Sequence, residues 1–209
     1  MAGNSFTRAK PRRKKHWAVV IVAAIALAAL LTVGGIIGIR RYKIKQTYRQ
    51  YPLAYKETIV QMAKDFNLEP WHIAAVVRCE SSFNAKATSG VGARGLMQIM
   101  PDTGEWLAGK FDEDDQFDPE WLYEPEYNLK YGCWYLSWLM DRYDGDITLA
   151  TAAYHAGQTC VDGLLSDPSV SPDGKTIDVD SIPYPNTKTY VNRVLTACTK
   201  YKELYDYEN

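Results

Sequence analysis

The sequence predicts a mainly α protein, in which a helical globular domain is preceded by a single N-terminal transmembrane helix. Three observations carry that reading. Trp17 to Ile39 is an uncharged run of 23 residues with Thr32 as its only polar side chain, and about 20 such residues suffice to cross a bilayer. Beyond it, apolar residues recur at three-, four- and seven-residue spacing, with little of the alternation that marks strands. The charge divides at the same place. The first 49 residues hold 11 of the 24 basic side chains and no acidic one, leaving 13 basic against 25 acidic residues, a formal charge of −12, in the remainder.

A buried soluble helix would need a polar face, which residues 17–39 lack. A cleaved signal peptide would have an apolar core of about 7–15 residues, and this run is longer, so an uncleaved anchor is the reading adopted. No cysteine precedes Cys79 and no glycine follows Met1, which removes lipid attachment as the anchor. The expected organisation is a basic tail at 1–16, the transmembrane helix at 17–39, a juxtamembrane stalk at 40–52 and the globular domain at 53–209. Basic clusters flank the helix on both sides, so charge leaves its orientation open. The acidic domain lacks the basic surface that nucleic-acid partners require.

Within the domain each element follows from its pattern. Residues 40–52 carry tyrosines and basic groups suited to lipid headgroups, and Pro52 ends them. Residues 54–66 place Ile59, Val60, Ala63 and Phe66 on one helical face. Pro70 opens a helix that runs to Glu80. The stretch 84–95 is too rich in Gly, Ser and Ala for a regular element. A further helix is expected after Pro101, with Asp102 and Thr103 as caps, then an acidic loop from Asp112 to Pro119. Residues 126–142 repeat Leu129, Gly132, Cys133, Leu136, Leu139 and Met140 at helical spacing, as a core stripe. Another helix covers 146–156 and stops at Gly157. A proline-rich loop follows, and helical spacing resumes over 187–205.

Glu80 closes the apolar stripe of Ile73, Val76 and Val77. Desolvation there disfavours the carboxylate and raises its pKa, which suits a general acid. The competing reading is a carboxylate that caps the helix end or pairs with Arg78 or Lys86. The four cysteines, Cys79, Cys133, Cys160 and Cys198, permit two disulfides in three pairings, and their spacing is no zinc site. Only His72 lies near Cys79, so a packed or disulfide-bonded cysteine is preferred to a nucleophile.

Three segments bear on the acid: Glu80-Ser81-Ser82-Phe83-Asn84, the glycine-rich Ser89 to Pro101 containing Gly95-Leu96-Met97-Gln98, and Ala152-Ala153-Tyr154-His155-Ala156-Gly157. With Thr187-Lys188-Thr189-Tyr190-Val191 they occur in an order that resembles the lytic transglycosylase family with the soluble-lytic-transglycosylase catalytic domain, over roughly residues 53–205. The resemblance implies a goose-lysozyme-like fold. It implies Glu80 as catalytic acid and base, Ser81 and Tyr154 as its support, and Met97, Gln98, His155 and Tyr190 as substrate-binding residues, with no metal and no cofactor. Two positions depart from the family: His155 stands where Asn is usual and Asn186 where Glu is usual. An imidazole keeps a hydrogen bond and adds pH sensitivity, while Asn186 removes a second carboxylate.

The implied reaction cleaves the bond between N-acetylmuramic acid and N-acetylglucosamine in peptidoglycan without water, leaving a 1,6-anhydromuramoyl end. The implied partners are glycan strands and, through one helix, the membrane; a monomer is expected, single-pass, with a cytoplasmic N terminus and the domain facing the wall. A lysozyme-type muramidase and a catalytically weak peptidoglycan-binding scaffold are the alternatives. Phe83, Trp106, Trp121 and Trp134 are possible sugar-stacking rings, and the sequence assigns none of them.

Overall fold

The protein is described from a computed structural model over residues 13–111 and 117–207, with side chains from Trp17 onward. Most of the basic tail and residues 112–116 of the acidic loop lie outside the described residues. The chain divides into two units, Met1–Gln50 and Tyr51–Asn209.

The first unit is one continuous helix, α1 (Arg13–Gln50). At 1.5 Å per residue its 38 residues extend about 57 Å, so the apolar run and the stalk form a single element. It is long and apolar enough to cross a membrane. Thr32 returns its hydroxyl to the carbonyl of Ala29 at 2.8 Å, so the one polar side chain of the run is satisfied within the helix.

The second unit contains seven helices among its described residues: α2 (Lys56–Asp65), α3 (Pro70–Ser81), α4 (Pro101–Ala108), α5 (Pro125–Arg142), α6 (Ile147–Ala156), α7 (Gln158–Leu165) and α8 (Pro185–Leu204). Short 3₁₀ turns at Gly109–Phe111, Pro119–Tyr123 and Val179–Ser181 link them. Two isolated bridges, Thr88 to Arg94 and Arg94 to Ile99, stiffen the loop before α4. Residues Tyr51 and Pro52 belong to this unit rather than to the stalk: their carbonyls accept the hydroxyls of Tyr205 and Tyr201, each at 2.7 Å, and Tyr51 is buried.

Helix α3 is the centre of the core. Ile73 to Val77 are fully buried, which explains why an apolar run here reads as helix without a polar face. It packs mainly on α8, which in turn meets α6; α6 also packs on α5 and α7. Proline opens α3, α4, α5 and α8 at the first position, where its missing N–H has no intrahelical partner to lose. Asp102 and Thr103 therefore sit inside the first turn of α4 and do not cap it. Asp146 caps α6, accepting from the amides of Thr148 at 2.8 Å and Leu149 at 3.0 Å.

Helix α7 has no counterpart in the sequence reading. Its eight residues include Thr159, Val161 and Gly163, poor helix formers, and burial of Val161 and Leu164 holds it. All four cysteines are free thiols in this structure, Cys133 and Cys198 buried and Cys79 and Cys160 half-buried.

The loop between α3 and α4 is held by Asn128, a fully buried residue on α5. Its amide nitrogen donates to the carbonyls of Arg94 at 2.9 Å and Leu122 at 2.8 Å, and its oxygen accepts the amide of Met97 at 2.7 Å. Glycine is required where the parts meet. A Cβ on Gly95, whose φ is +76°, would lie 2.3 Å from the Asn128 amide, and one on Gly132 would lie 2.3 Å from the Met97 sulfur. Replacing Asn128 by Ala strands one buried N–H and two carbonyls, so Asn128→Ala should lower the unfolding free energy by about 2–4 kcal/mol. Denaturant unfolding of the full chain in detergent measures this, and a loss below about 0.5 kcal/mol would contradict the clamp.

Candidate active site

Glu80 lies in the last turn of α3, part-buried. The Tyr190 hydroxyl, on α8, donates to its Oε1 at 2.5 Å. Burial pushes the carboxyl above its ordinary value, while the Tyr190 hydrogen bond and the nearby Arg193 guanidinium hold that rise in check. Neither Lys86 nor a helix cap accounts for the acid: Lys86 pairs with Glu124 at 3.1 Å. Burial, Glu80 itself and its hydrogen bond push the Tyr190 phenol well up, so it remains a donor.

The other residues singled out take places of their own. Ser81 does not reach the acid; its Oγ donates to the carbonyls of Leu96 at 2.8 Å and Val77 at 3.2 Å, fastening α3 to the glycine-rich loop. The Met97 side chain is fully buried and packs against Gly132, so it lies in the core and not on an exposed wall. Its carbonyl accepts the Tyr154 hydroxyl at 2.9 Å, and the Tyr154 phenol is pushed up by burial and by Glu80. Gln98, at φ +51°, donates from Nε2 to the carbonyls of Gly95 at 2.9 Å and Ala87 at 3.3 Å. Its amide thus shapes the loop.

Tyr190 was expected among the substrate contacts, but its ring is buried and its hydroxyl sits on the acid. His155, exposed on its outer side, stacks on Tyr190 with ring centroids 4.6 Å apart, and its Nδ1 lies 3.3 Å from the Thr187 hydroxyl. Desolvation lowers its pKa, so the imidazole is neutral at neutral pH. Asn186 is exposed in the first turn of α8.

Cys79 is not activated. Burial pushes its thiol up, and His72, brought down to about 4 by burial, faces Thr151 instead. Of the four rings considered for stacking, Trp106 is 44% exposed, whereas Phe83 and Trp134 pack on the core and Trp121 stacks on Tyr127 at 4.9 Å. Sequence reasoning missed Arg193, which faces Glu80 from α8, and Asn128, although a lone amide inside an apolar helical stripe was a visible signal.

Comparison with known proteins shows the family of the domain. The family model described as transglycosylase SLT domain matches residues 57–169, more than half of the chain. The soluble lytic murein transglycosylase of Salmonella typhimurium is 34% identical over 153 residues, which cover 73% of this chain and 24% of that protein. Membrane-bound lytic murein transglycosylase C of Actinobacillus pleuropneumoniae is 32% identical over 165 residues, 70% of this chain and 45% of that one. Among solved structures, the 70 kDa soluble lytic transglycosylase of Escherichia coli superposes with a TM-score of 0.69 at 32% identity, covering 75% of this chain and 25% of that chain. An inactive mutant of the lytic transglycosylase Slt from Pseudomonas aeruginosa gives 0.65 at 35% identity, covering 74% and 25%. The chain spans about a quarter of the length of the soluble relatives.

The raised pKa of Glu80 is also a statement about stability. The folded state holds the proton more tightly than the unfolded one, so the group's contribution is present below the ordinary value of 4.5 and is lost as pH rises through the folded pKa. Glu80→Gln removes that loss. The variant should therefore be more stable than the parent at pH 8, with the gap closing as pH falls toward 4. Thermal unfolding across that range tests the sign; a gap that widens toward acid would overturn it.

Proposed function

Since this chain belongs to the transglycosylase SLT domain family, we propose that it cleaves the β-1,4 bond between N-acetylmuramic acid and N-acetylglucosamine in peptidoglycan and leaves a 1,6-anhydromuramoyl end. The observation that carries this reading is the part-buried Glu80 with the Tyr190 hydroxyl at 2.5 Å.

Desolvation, which raises its proton affinity, suits the Glu80 carboxyl to donate to the glycosidic oxygen. As the bond to C1 breaks, the acetamide carbonyl of the muramoyl ring supports the developing positive charge. The carboxylate left behind gains from the Tyr190 donor and the Arg193 cation, both of which favour its ionised form. It then takes the proton of the C6 hydroxyl, whose oxygen closes on C1, and no water enters. Two-carboxylate hydrolysis needs a second acid across the bond. The position where the family usually supplies Glu is Asn186, exposed at the start of α8, and Asp102 and Glu105 are exposed on α4. A single acid therefore draws its help from the substrate. Ser81, Tyr154 and Gln98 act by holding the loop against which the acid works, and His155 acts by bracing the Tyr190 ring.

The domain works as the wall-facing part of a single-pass membrane protein. Helix α1 supplies the anchor, with residues 1–16 cytoplasmic, 17–39 in the bilayer, 40–50 as its continuation and 51–209 as the catalytic domain. The substrate lies outside the membrane, which sets the orientation, and a membrane-bound relative is among the similar proteins.

Glu80→Gln should lower release of soluble fragments from purified sacculi by about a hundredfold to ten-thousandfold. Undiminished turnover would sink the assignment of the acid. Mass spectrometry of the fragments released by the unaltered protein should give muropeptides lighter by one water than the hydrolytic product; reducing ends would make the protein a muramidase. External protease applied to intact protoplasts should remove the domain, whereas full protection would reverse the orientation.

A further inference from the structure

The imidazole of His155, in the last turn of α6, covers the Tyr190 ring with centroids 4.6 Å apart and 30° between planes. The hydroxyl of that same ring donates to Glu80 at 2.5 Å. His155 is thus one aromatic ring away from the acid, and its outer side is exposed. Its Nδ1 lies 3.3 Å from the Thr187 hydroxyl, and Thr187 stands one turn before Tyr190 on α8. Two contacts to one helix therefore fix the imidazole over the phenol.

We propose that His155 is a positioning residue that couples Glu80 to pH: the neutral imidazole supports the acid through Tyr190, and the imidazolium opposes it. This role rests on the reading of Glu80 as the proton donor and adds a regulation that the reading does not require. A cation over the face of a phenol is attracted by the ring and draws electron density from the hydroxyl, which then donates more strongly. A stronger donor favours the carboxylate of Glu80, and the field of the cation acts in the same direction. The form of Glu80 that has a proton to give is depleted when His155 is charged. The same field opposes the positive charge that develops at C1 as the bond breaks.

The groups around the pair single out this side chain. From α8, Thr187 and Tyr190 face the imidazole, and Lys188, next along that helix, is paired with Asp180 at 2.8 Å. Towards α6, helix α5 brings the Tyr135 phenol, packed on Tyr154 at 5.6 Å, and α7 brings Asp162, which is paired with Arg142. His155 has no ion pair among the described residues, and burial alone lowers its proton affinity. Around Glu80, the Tyr190 and Tyr154 phenols and the Cys79 thiol are all pushed upward, and Arg193 is charged at every working pH. Among these neighbours His155 is the one whose charge changes on the acid side of neutrality.

The test uses the full chain in detergent with two variants: His155→Asn, which is neutral, and His155→Arg, which lays a permanent planar cation on the ring. Glutamate labelled with carbon-13 reports the Glu80 carboxyl, identified as the signal that Glu80→Gln removes. Glu80 should bind its proton about threefold more weakly in His155→Arg than in His155→Asn. Equal titration in the two variants overturns the coupling, whatever the chain cleaves. The second readout is release of soluble fragments from purified sacculi between pH 7.5 and pH 5. The rate of His155→Asn relative to the parent should rise about threefold towards pH 5, because only the parent acquires the cation. A ratio that stays flat makes His155 a brace alone and overturns the coupling, and a ratio that falls reverses its sign and overturns it too. Should His155→Arg not fold, this ratio decides alone. The two readings fail separately: persistent release by Glu80→Gln contradicts the acid, while the carboxyl titration is read without turnover.

Discussion

The site depends on a carboxyl held out of water at the end of a helix, with a phenol from another helix as its donor. The last turn of α3 presents the negative end of the helix dipole, which opposes a negative charge on Glu80. Burial opposes it further. What keeps the group usable is α8, which supplies the Tyr190 hydroxyl and the Arg193 cation. Burial alone would raise its proton affinity further, and full solvation would leave it at the ordinary value. The packing of α3 on α8, with Ile73, Val76 and Val77 in one core cluster with Val194, Ala197 and Tyr201, therefore sets the proton affinity of Glu80 as well as the stability.

The second wall of the site follows from backbone anchoring. Ser81, Tyr154 and Asn128 each spend a side-chain hydrogen bond on the segment from Arg94 to Met97, and Gln98 spends its own amide on the same loop. Met97 turns inward against Gly132. The short Gly-Leu-Met-Gln run is thus mostly an instruction for loop shape. Its side chains are consumed in making one conformation, in which a glycine at φ +76° and a glutamine at φ +51° are both tolerated because the surrounding bonds over-determine them.

Much of the fold was legible from periodicity. Helices α3, α5, α6 and α8 bury the stripes that their spacing announces, because a core-facing helix has to repeat its apolar groups every three to four residues. Helix α7 was not legible, since its local preferences are poor and contacts with distant residues hold it. The caps of α4 were misread because proline at the first position makes a side-chain cap unnecessary. The cysteines suggested disulfides only through their even number, and number says nothing about distance.

The candidate site divides along the same line. The helical class, the apolar N-terminal helix and a carboxyl ending a buried stripe are properties of neighbouring residues, and those are written along the chain. That Tyr190 donates to Glu80 across 110 positions, that Ser81 and Met97 face the loop and the core, and that His155 covers the Tyr190 ring are products of packing. Periodicity reports which side of a helix is buried, but not what lies opposite, and the chemistry here is decided by what lies opposite.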